Sequence, residues 1–436
     1  MSPIAQRPLS RHSRRRFLQI GSSGLLGVGL SDLLRAESAG PVHTPRATGM
    51  ILIWLGGGPA TIDIWDPKPN AEVEIRGEFK SIPTALPSIQ FSEHMPRTAE
   101  ILNRCVLVRS LHHNIPDHDP GTQYVMTGNK PSAALEHPSI GSLAAHLLAA
   151  SKGMPSYFRI GEATNTGAGF LGTAYDPFRV ASTAANVTTD LNGVVLPASM
   201  TRTGLDARRR LRDLVSARFL ARHAEADLVP TLSKFQHDSY EILASNRIGK
   251  AFDLDTEPES IRKLYAESEF GNDLGRNALI ARRLIEAGSR FVTIGTNDWD
   301  THVNNFTIMR QLLPQLDRAL AALVIDLDQR GMLDETLVVC GGEFGRTPIV
   351  NGNAGRDHWS RAMTFFMCGG GLKKGHVHGN TDPRGQDPIE APCSPDDLGA
   401  TLFSLLGFPA NHQVHTTAGR PVELFKSGAA IADVIA

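Results

Sequence analysis

The chain has little cysteine, no excess of either charge and neither of the common nucleotide-binding loops. Each absence narrows what it can be. Four cysteines in 436 residues are too few for a disulfide framework. Cys340 and Cys368 each close an apolar run and read as buried thiols, while a bridge between two of the four stays compatible with an exported chain. Lys and Arg number 44 against 45 Asp and Glu, so no nucleic-acid surface and no polybasic membrane patch is expected. There is no GxGxxG and no Walker lysine, which leaves little support for a nucleotide site. The length allows a large core and, by size alone, two or three domains. No break in composition demands a split.

What is present begins at the amino terminus. Ser13-Arg14-Arg15-Arg16-Phe17-Leu18-Gln19 precedes a weakly apolar stretch from Ile20 to Leu34. Four glycines and Asp32 interrupt it, making it too short and too polar for a stable membrane span. The pattern looks like a twin-arginine export signal, with cleavage after Ala36 or Ala39. Residues 1–45 are therefore read as signal peptide and flexible leader, and 46–436 as one domain. The twin-arginine export machinery is the implied partner, with the periplasm or the extracellular space as destination. That route carries folded proteins, often with a metal already loaded.

Gly49 to Leu55, Cys105 to Ser110, Phe291 to Gly295, Thr336 to Cys340 and Met363 to Cys368 are short apolar runs of the kind expected for strands covered on both faces. Helical patterns lie between them. Phe306 to Arg330 is amphipathic, with a possible break at Pro314, and closes at Gly331. Leu205 to Ser245 carries many arginines, read as a solvated face, and Ile261 to Ala287 continues as helices. Gly161 to Asn192 reads as loops that could shape a substrate mouth, Gly369 to Gly379 as a loop holding His376 and His378. Ser394 to Gly407 is a capped helix. Strands alternating with helices predict an α/β fold, a mostly parallel sheet with helices on both faces.

The chemistry-bearing residues cluster after the strands, where ligands bind in open α/β sheets. Thr296-Asn297-Asp298-Trp299-Asp300-Thr301-His302 follows one of them. In an extended segment Asp300 and His302 point the same way, while Asp298 and His302 share a face if the turn is helical. Asp63 follows Gly56-Gly57-Gly58-Pro59, and Asp66 before Pro67 reads as a turn residue. His112, His113, Asp117, His118 and Asp119 crowd together after another strand. Glu343 follows Gly341-Gly342, and His358 comes fifteen residues later. Carboxylate and imidazole are ligands for divalent metals. Asp63, His118, Asp300, His302, Glu343 and His358 converging on one edge would hold one or two ions. Two such ions can clamp an in-line displacement at phosphorus or sulfur.

These pieces resemble a known family. Leu55-Gly-Gly-Gly-Pro59 with Asp63 and Asp66-Pro-Lys-Pro69, Trp299-Asp-Thr-His302, Gly342-Glu-Phe-Gly-Arg-Thr-Pro348 and Gly355-Arg-Asp-His358 resemble the secreted DUF1501-type proteins of the alkaline phosphatase and sulfatase superfamily. The resemblance implies an alkaline phosphatase-like fold and an exported metal-dependent hydrolase of phosphate or sulfate esters. Its substrate would be a small-molecule or polysaccharide ester, and its ion most simply zinc or calcium. It implies Asp63, Asp298, Asp300, His302, Glu343 and His358 as metal ligands, Asp298 and His302 matching the superfamily's Asp-x-x-x-His spacing. A later Asp-His pair is replaced by Glu343-Phe344. Thr127-Gly-Asn-Lys-Pro131 matches the end of the sulfatase signature. His118 stands at the position of the formylglycine cysteine, and Thr122 where the signature has arginine. Attack would fall to Thr122, to His118 or to a hydroxide held by the metal, with Arg346 as the candidate oxyanion partner or a structural salt bridge. The alternative is an exported binding or scaffold protein that keeps the fold without turnover.

Overall fold

Gly49–Leu55 (β1) is apolar throughout because both its faces are covered. In the computed structural model, which describes residues 42–161, 166–180, 196, 199–222, 239–265 and 274–436, it lies near the middle of an eight-stranded sheet. The other strands are Cys105–Leu111 (β2), Tyr157–Gly161 (β3), Phe178–Val180 (β4), Phe291–Thr296 (β5), Thr336–Gly341 (β6), Met363–Cys368 (β7) and His376–His378 (β8). Their order across the sheet is β8-β2-β7-β6-β1-β5-β3-β4. β1 runs parallel to β5, with Met50 opposite Phe291, and to β6, with Gly49 opposite Thr336. β7 alone in this sheet runs the other way, antiparallel to both β2 and β6.

Alternation along β1 divides the core into two layers. Ile51, Ile53 and Leu55 pack with Pro96–Ile101 (α1), Leu274–Glu286 (α4) and Asn305–Gln329 (α5). Met50, Leu52 and Trp54 pack on the opposite face with His118–Thr127 (α2), Ile140–Leu147 (α3) and Pro395–Leu405 (α6). The expected mostly parallel sheet with helices on both faces is therefore what forms.

Several local expectations need correction. α5 is continuous through Pro314. The proline sits on the exposed side of the helix, where its missing N–H leaves no buried carbonyl unpaired. Residues 376–378 are an edge strand paired with β2, not a loop. Asp66 is more than a turn residue. It is buried and bonded to Lys68, Arg109 and Thr381. All four cysteines are free, buried thiols, so no disulfide forms. α6 has the expected cap: the Ser394 side chain accepts from the Asp397 backbone, and Asp397 accepts from Ser394.

Residues 1–41, with the arginine pair, lie outside the described residues. So do parts of the Gly161–Asn192 and Leu205–Ser245 segments. Among the described residues no helix is long and apolar enough to cross a membrane.

Candidate metal centre

Because β1, β2, β5 and β6 run the same way, their carboxyl ends share one edge of the sheet. The loops beyond them carry Gly57, His118, Asp300 with His302, and Glu343. His358 reaches the same edge by another route. It lies five residues before the start of β7, and the reversed direction of β7 starts that strand where its neighbours finish. A two-residue ladder pairs His358 with Arg346 and Trp359 with Gly345, fixing the approach.

His302 and His358 meet through their Nε2 atoms at 3.0 Å. The Nδ1–H of His302 donates to Asp357 Oδ1 at 2.6 Å, and that of His358 to the Pro116 carbonyl at 2.7 Å. Both outer protons are thereby placed, leaving the two inward Nε2 lone pairs as acceptors. Asp300 Oδ1 lies 3.1 Å from the first and 3.5 Å from the second. Asp300 Oδ1 also accepts from Arg346 Nη2, so the two imidazole lone pairs are the acceptors left without a donor, and a cation would satisfy them. Burial pushes the His358 pKa down, helped by the nearby Arg346, His118 and His302 and opposed by its bond to Pro116. The Asp357 carboxyl is held below its ordinary range chiefly by the hydrogen bond from His302.

His118 opens α2 and bridges two carboxylates. Its Nδ1 is 2.8 Å from Glu343 Oε1 and its Nε2 3.3 Å from Asp300 Oδ2. The bond to Glu343 raises its pKa against the opposing effect of burial. The ring packs between those of Phe344 and His358. His118, Asp300 and His358 place one ligand atom each within 4.8 Å of one another. Glu343 is 2% exposed. Its Oε1 also accepts from the Gly57 amide at 2.8 Å, while Oε2 is buried with no hydrogen-bond partner among the described residues. An orphaned carboxylate oxygen costs free energy unless something pairs with it. The donor set thus fits a divalent cation.

The glycines after β1 permit this approach. A Cβ on Gly57, at φ +111°, would lie 2.5 Å from the Asp300 amide nitrogen. A Cβ on Gly355 would lie 1.9 Å from the His302 carbonyl oxygen.

The remaining candidates are placed elsewhere. Asp63 does not join the cluster. Arg356 grips it with two bonds of 2.8 Å, to Oδ1 and Oδ2, and Asn305 adds a third at 2.8 Å. Both partners of that pair are buried, so the charge of Asp63 is already compensated. Asp298 is exposed and makes no hydrogen bond or ion pair with the described residues. Asp300, from the same run, does. Arg346 is also committed. Its Nε donates to the Gly58 carbonyl at 2.7 Å, Nη1 to the Arg356 carbonyl at 3.0 Å, and Nη2 to Gly57 O and to Asp300 Oδ1. It clamps three loops and the inner carboxylate. Thr122 is half-buried, one turn beyond His118 on the same face of α2. Sequence reasoning passed over Asp357, although it stands beside His358 in Gly355-Arg-Asp-His358, and over the Pro116 carbonyl, which no side-chain signal marks.

These features define an α/β protein with a candidate metal-ligand cluster of His, Asp and Glu at the carboxyl edge of its sheet. Residues 47–435 match the family described as "Protein of unknown function (DUF1501)", and the chain belongs to that family. Among solved structures it is similar, at low identity, to the PsFucS1 sulfatase from Pseudoalteromonas sp. (12% identity, TM-score 0.40, 97% of this chain and 76% of that one). It is similar also to the zinc-complexed C-terminal periplasmic domain of EcEptC from Escherichia coli (8%, 0.38, 92% and 96%). A third is the lipoteichoic acid synthase LtaP from Listeria monocytogenes (9%, 0.35, 89% and 92%). No curated protein matches the chain.

Proposed function

We propose that this protein is an exported metal-dependent hydrolase of phosphate or sulfate esters that works with a single divalent ion. The observation that supports it is the convergence of the His302 and His358 lone pairs on Asp300 Oδ1. Asp300, His302 and His358 would hold the ion, with Glu343 joined to them through His118. Two imidazole nitrogens in the set favour zinc over calcium, which prefers oxygen ligands. When bound, such an ion supplies Lewis-acid polarisation of an ester oxygen. The engagement of Asp63 by Arg356 is why one ion is proposed and not two.

The chain's own residues do the rest. Asp357 and the Pro116 carbonyl hold the two imidazoles in the tautomer that presents Nε2 inward. His118, between Asp300 and Glu343, is placed to carry a proton at Nε2 to the departing oxygen. Thr122 is the hydroxyl proposed to face the ester, and Arg346 orients Asp300 and does not reach the substrate. A small-molecule or polysaccharide ester is the proposed substrate. Export by the twin-arginine route rests on the sequence of residues 13–34.

A second reading, an exported binding or scaffold protein that keeps the fold without turnover, is favoured by two observations. Every nitrogen of Arg346 is already engaged within the fold, and no hydroxyl is hydrogen-bonded to the cluster among the described residues. Metal analysis of the mature protein, purified without chelator, followed by a screen of aryl phosphates and sulfates, separates the readings. One equivalent of zinc and turnover abolished by chelation and by His118→Ala support hydrolysis. One equivalent without turnover on any ester supports the scaffold. A folded, metal-free protein removes the hydrolase reading and leaves the scaffold.

A further inference from the structure

Away from the carboxyl edge, two further histidines face a single carboxylate. His376 and His378 sit at alternate positions of the edge strand β8, so their side chains share one face of the sheet. Asp433 reaches them from the 3₁₀ turn Ala432–Val434, close to the end of the chain. His376 Nε2 is 3.1 Å from Asp433 Oδ2, and His378 Nδ1 is 2.8 Å from Oδ1. One ligand atom from each residue falls within 4.8 Å of the others. In a tetrahedral zinc site with bonds near 2.0 Å, ligand atoms stand roughly 3.3 Å apart, close to the spacing seen here.

We propose that His376, His378 and Asp433 form a second metal site, independent of the central cluster, that staples the carboxyl-terminal segment to the edge of the sheet. Two nitrogens and one carboxylate select a borderline divalent ion such as zinc, nickel or copper over calcium or magnesium. The carboxylate is pre-positioned. Val434 is fully buried, its carbonyl accepts from the Lys373 amide at 2.8 Å, and the Ala436 amide donates to Gly371 O at 3.0 Å. An isolated bridge pairs Leu372 with Ile435. One imidazole would suffice to hydrogen-bond Asp433. The second, converging on the same group from β8, is what a metal site requires and a simple ion pair does not. Asp433 is half exposed, which leaves the remaining coordination position to water. Among the described residues β8 is also an edge with no strand on its outer side, a place where proteins restrain a strand against pairing with another chain.

The test uses the full mature chain and Co²⁺ as probe, counting bound equivalents by equilibrium dialysis with chelator-stripped protein. The count is expected to fall by one in Asp433→Asn and by one in His376→Ala. The latter keeps the His378–Asp433 hydrogen bond, so its fold does not depend on the lost ligand. Melting curves of the stripped variants should match the stripped wild type, and Co²⁺ should raise the midpoint of the wild type more than that of either variant. An unchanged Co²⁺ count in His376→Ala, or equal cobalt-induced shifts in all three proteins, would overturn the proposal. The central cluster is left intact throughout, so loss of ester hydrolysis or of the ion there does not mimic the result.

Discussion

The Nε2 atoms of His302 and His358 face each other at 3.0 Å although 56 residues separate them in the chain. Each ring is turned to this position by a bond from its other nitrogen, one to the Asp357 carboxylate and one to the Pro116 carbonyl. The orientation of both imidazoles thus depends on Asp357 and on the Pro116 carbonyl.

That dependence is measurable. His302→Ala should abolish metal binding at the centre. Asp357→Ala should keep the ion but weaken it by about 10–100-fold, because the imidazole is no longer held in one tautomer and orientation. Competition against a chromophoric chelator reads both. Equal affinities for Asp357→Ala and wild type would show that Asp357 does not orient the ligand.

Asp63 and Arg356 make a different prediction. Removing one partner of a buried pair leaves an uncompensated charge, at a cost of about 3–5 kcal/mol. Arg356→Ala and Asp63→Asn should each lower the urea midpoint accordingly, while metal content per folded molecule stays at the wild-type value. Loss of the ion in folded Asp63→Asn would instead make Asp63 a ligand.

Gly355→Ala couples packing to the site. The new methyl would meet the His302 carbonyl at 1.9 Å, so one of the two loops must move. A stability loss of about 1–3 kcal/mol is expected, as for overpacking elsewhere, together with weaker metal binding. Retention of full affinity in chelator competition would show that the His302 loop does not depend on this contact.

Acid sensitivity should arise away from the site. Glu257 is buried beside Arg282, Arg283 and Arg330. Burial alone would raise its carboxyl, but the arginines, Arg282 foremost, outweigh that and hold it below the ordinary value. A depressed carboxyl stabilises the fold above the unfolded pKa, near 4.3 for Glu. The contribution is lost as pH falls from there through the folded value. Unfolding free energies measured down that range should decline less steeply in Glu257→Gln, from a lower starting stability. An unchanged slope would place the acid sensitivity in other carboxylates.

Much of this architecture was legible in the residues. The runs Gly49 to Leu55, Phe291 to Gly295 and Thr336 to Cys340 could be read as buried strands because continuous apolar character over so few residues suits a strand covered on both sides. The cap at Ser394 was legible for a similarly local reason. Pro314 misled because its effect depends on which side of the helix meets solvent. His376 and His378 read as loop residues because glycines flank a strand too short to show its period.

The candidate site divides along the same line. The sequence by itself determined that strands alternate with helices and that Asp, Glu and His follow the strands, since periodicity and turn chemistry act over a few residues. Only the tertiary structure decided which of those groups meet. Asp300 joins the two imidazoles, whereas Asp63 is neutralised by an arginine 293 positions away. His358 reaches the edge because β7 runs against its neighbours. A carboxylate's partner is chosen by strand order and direction across the whole sheet, and these are properties of long-range packing that no local pattern carries.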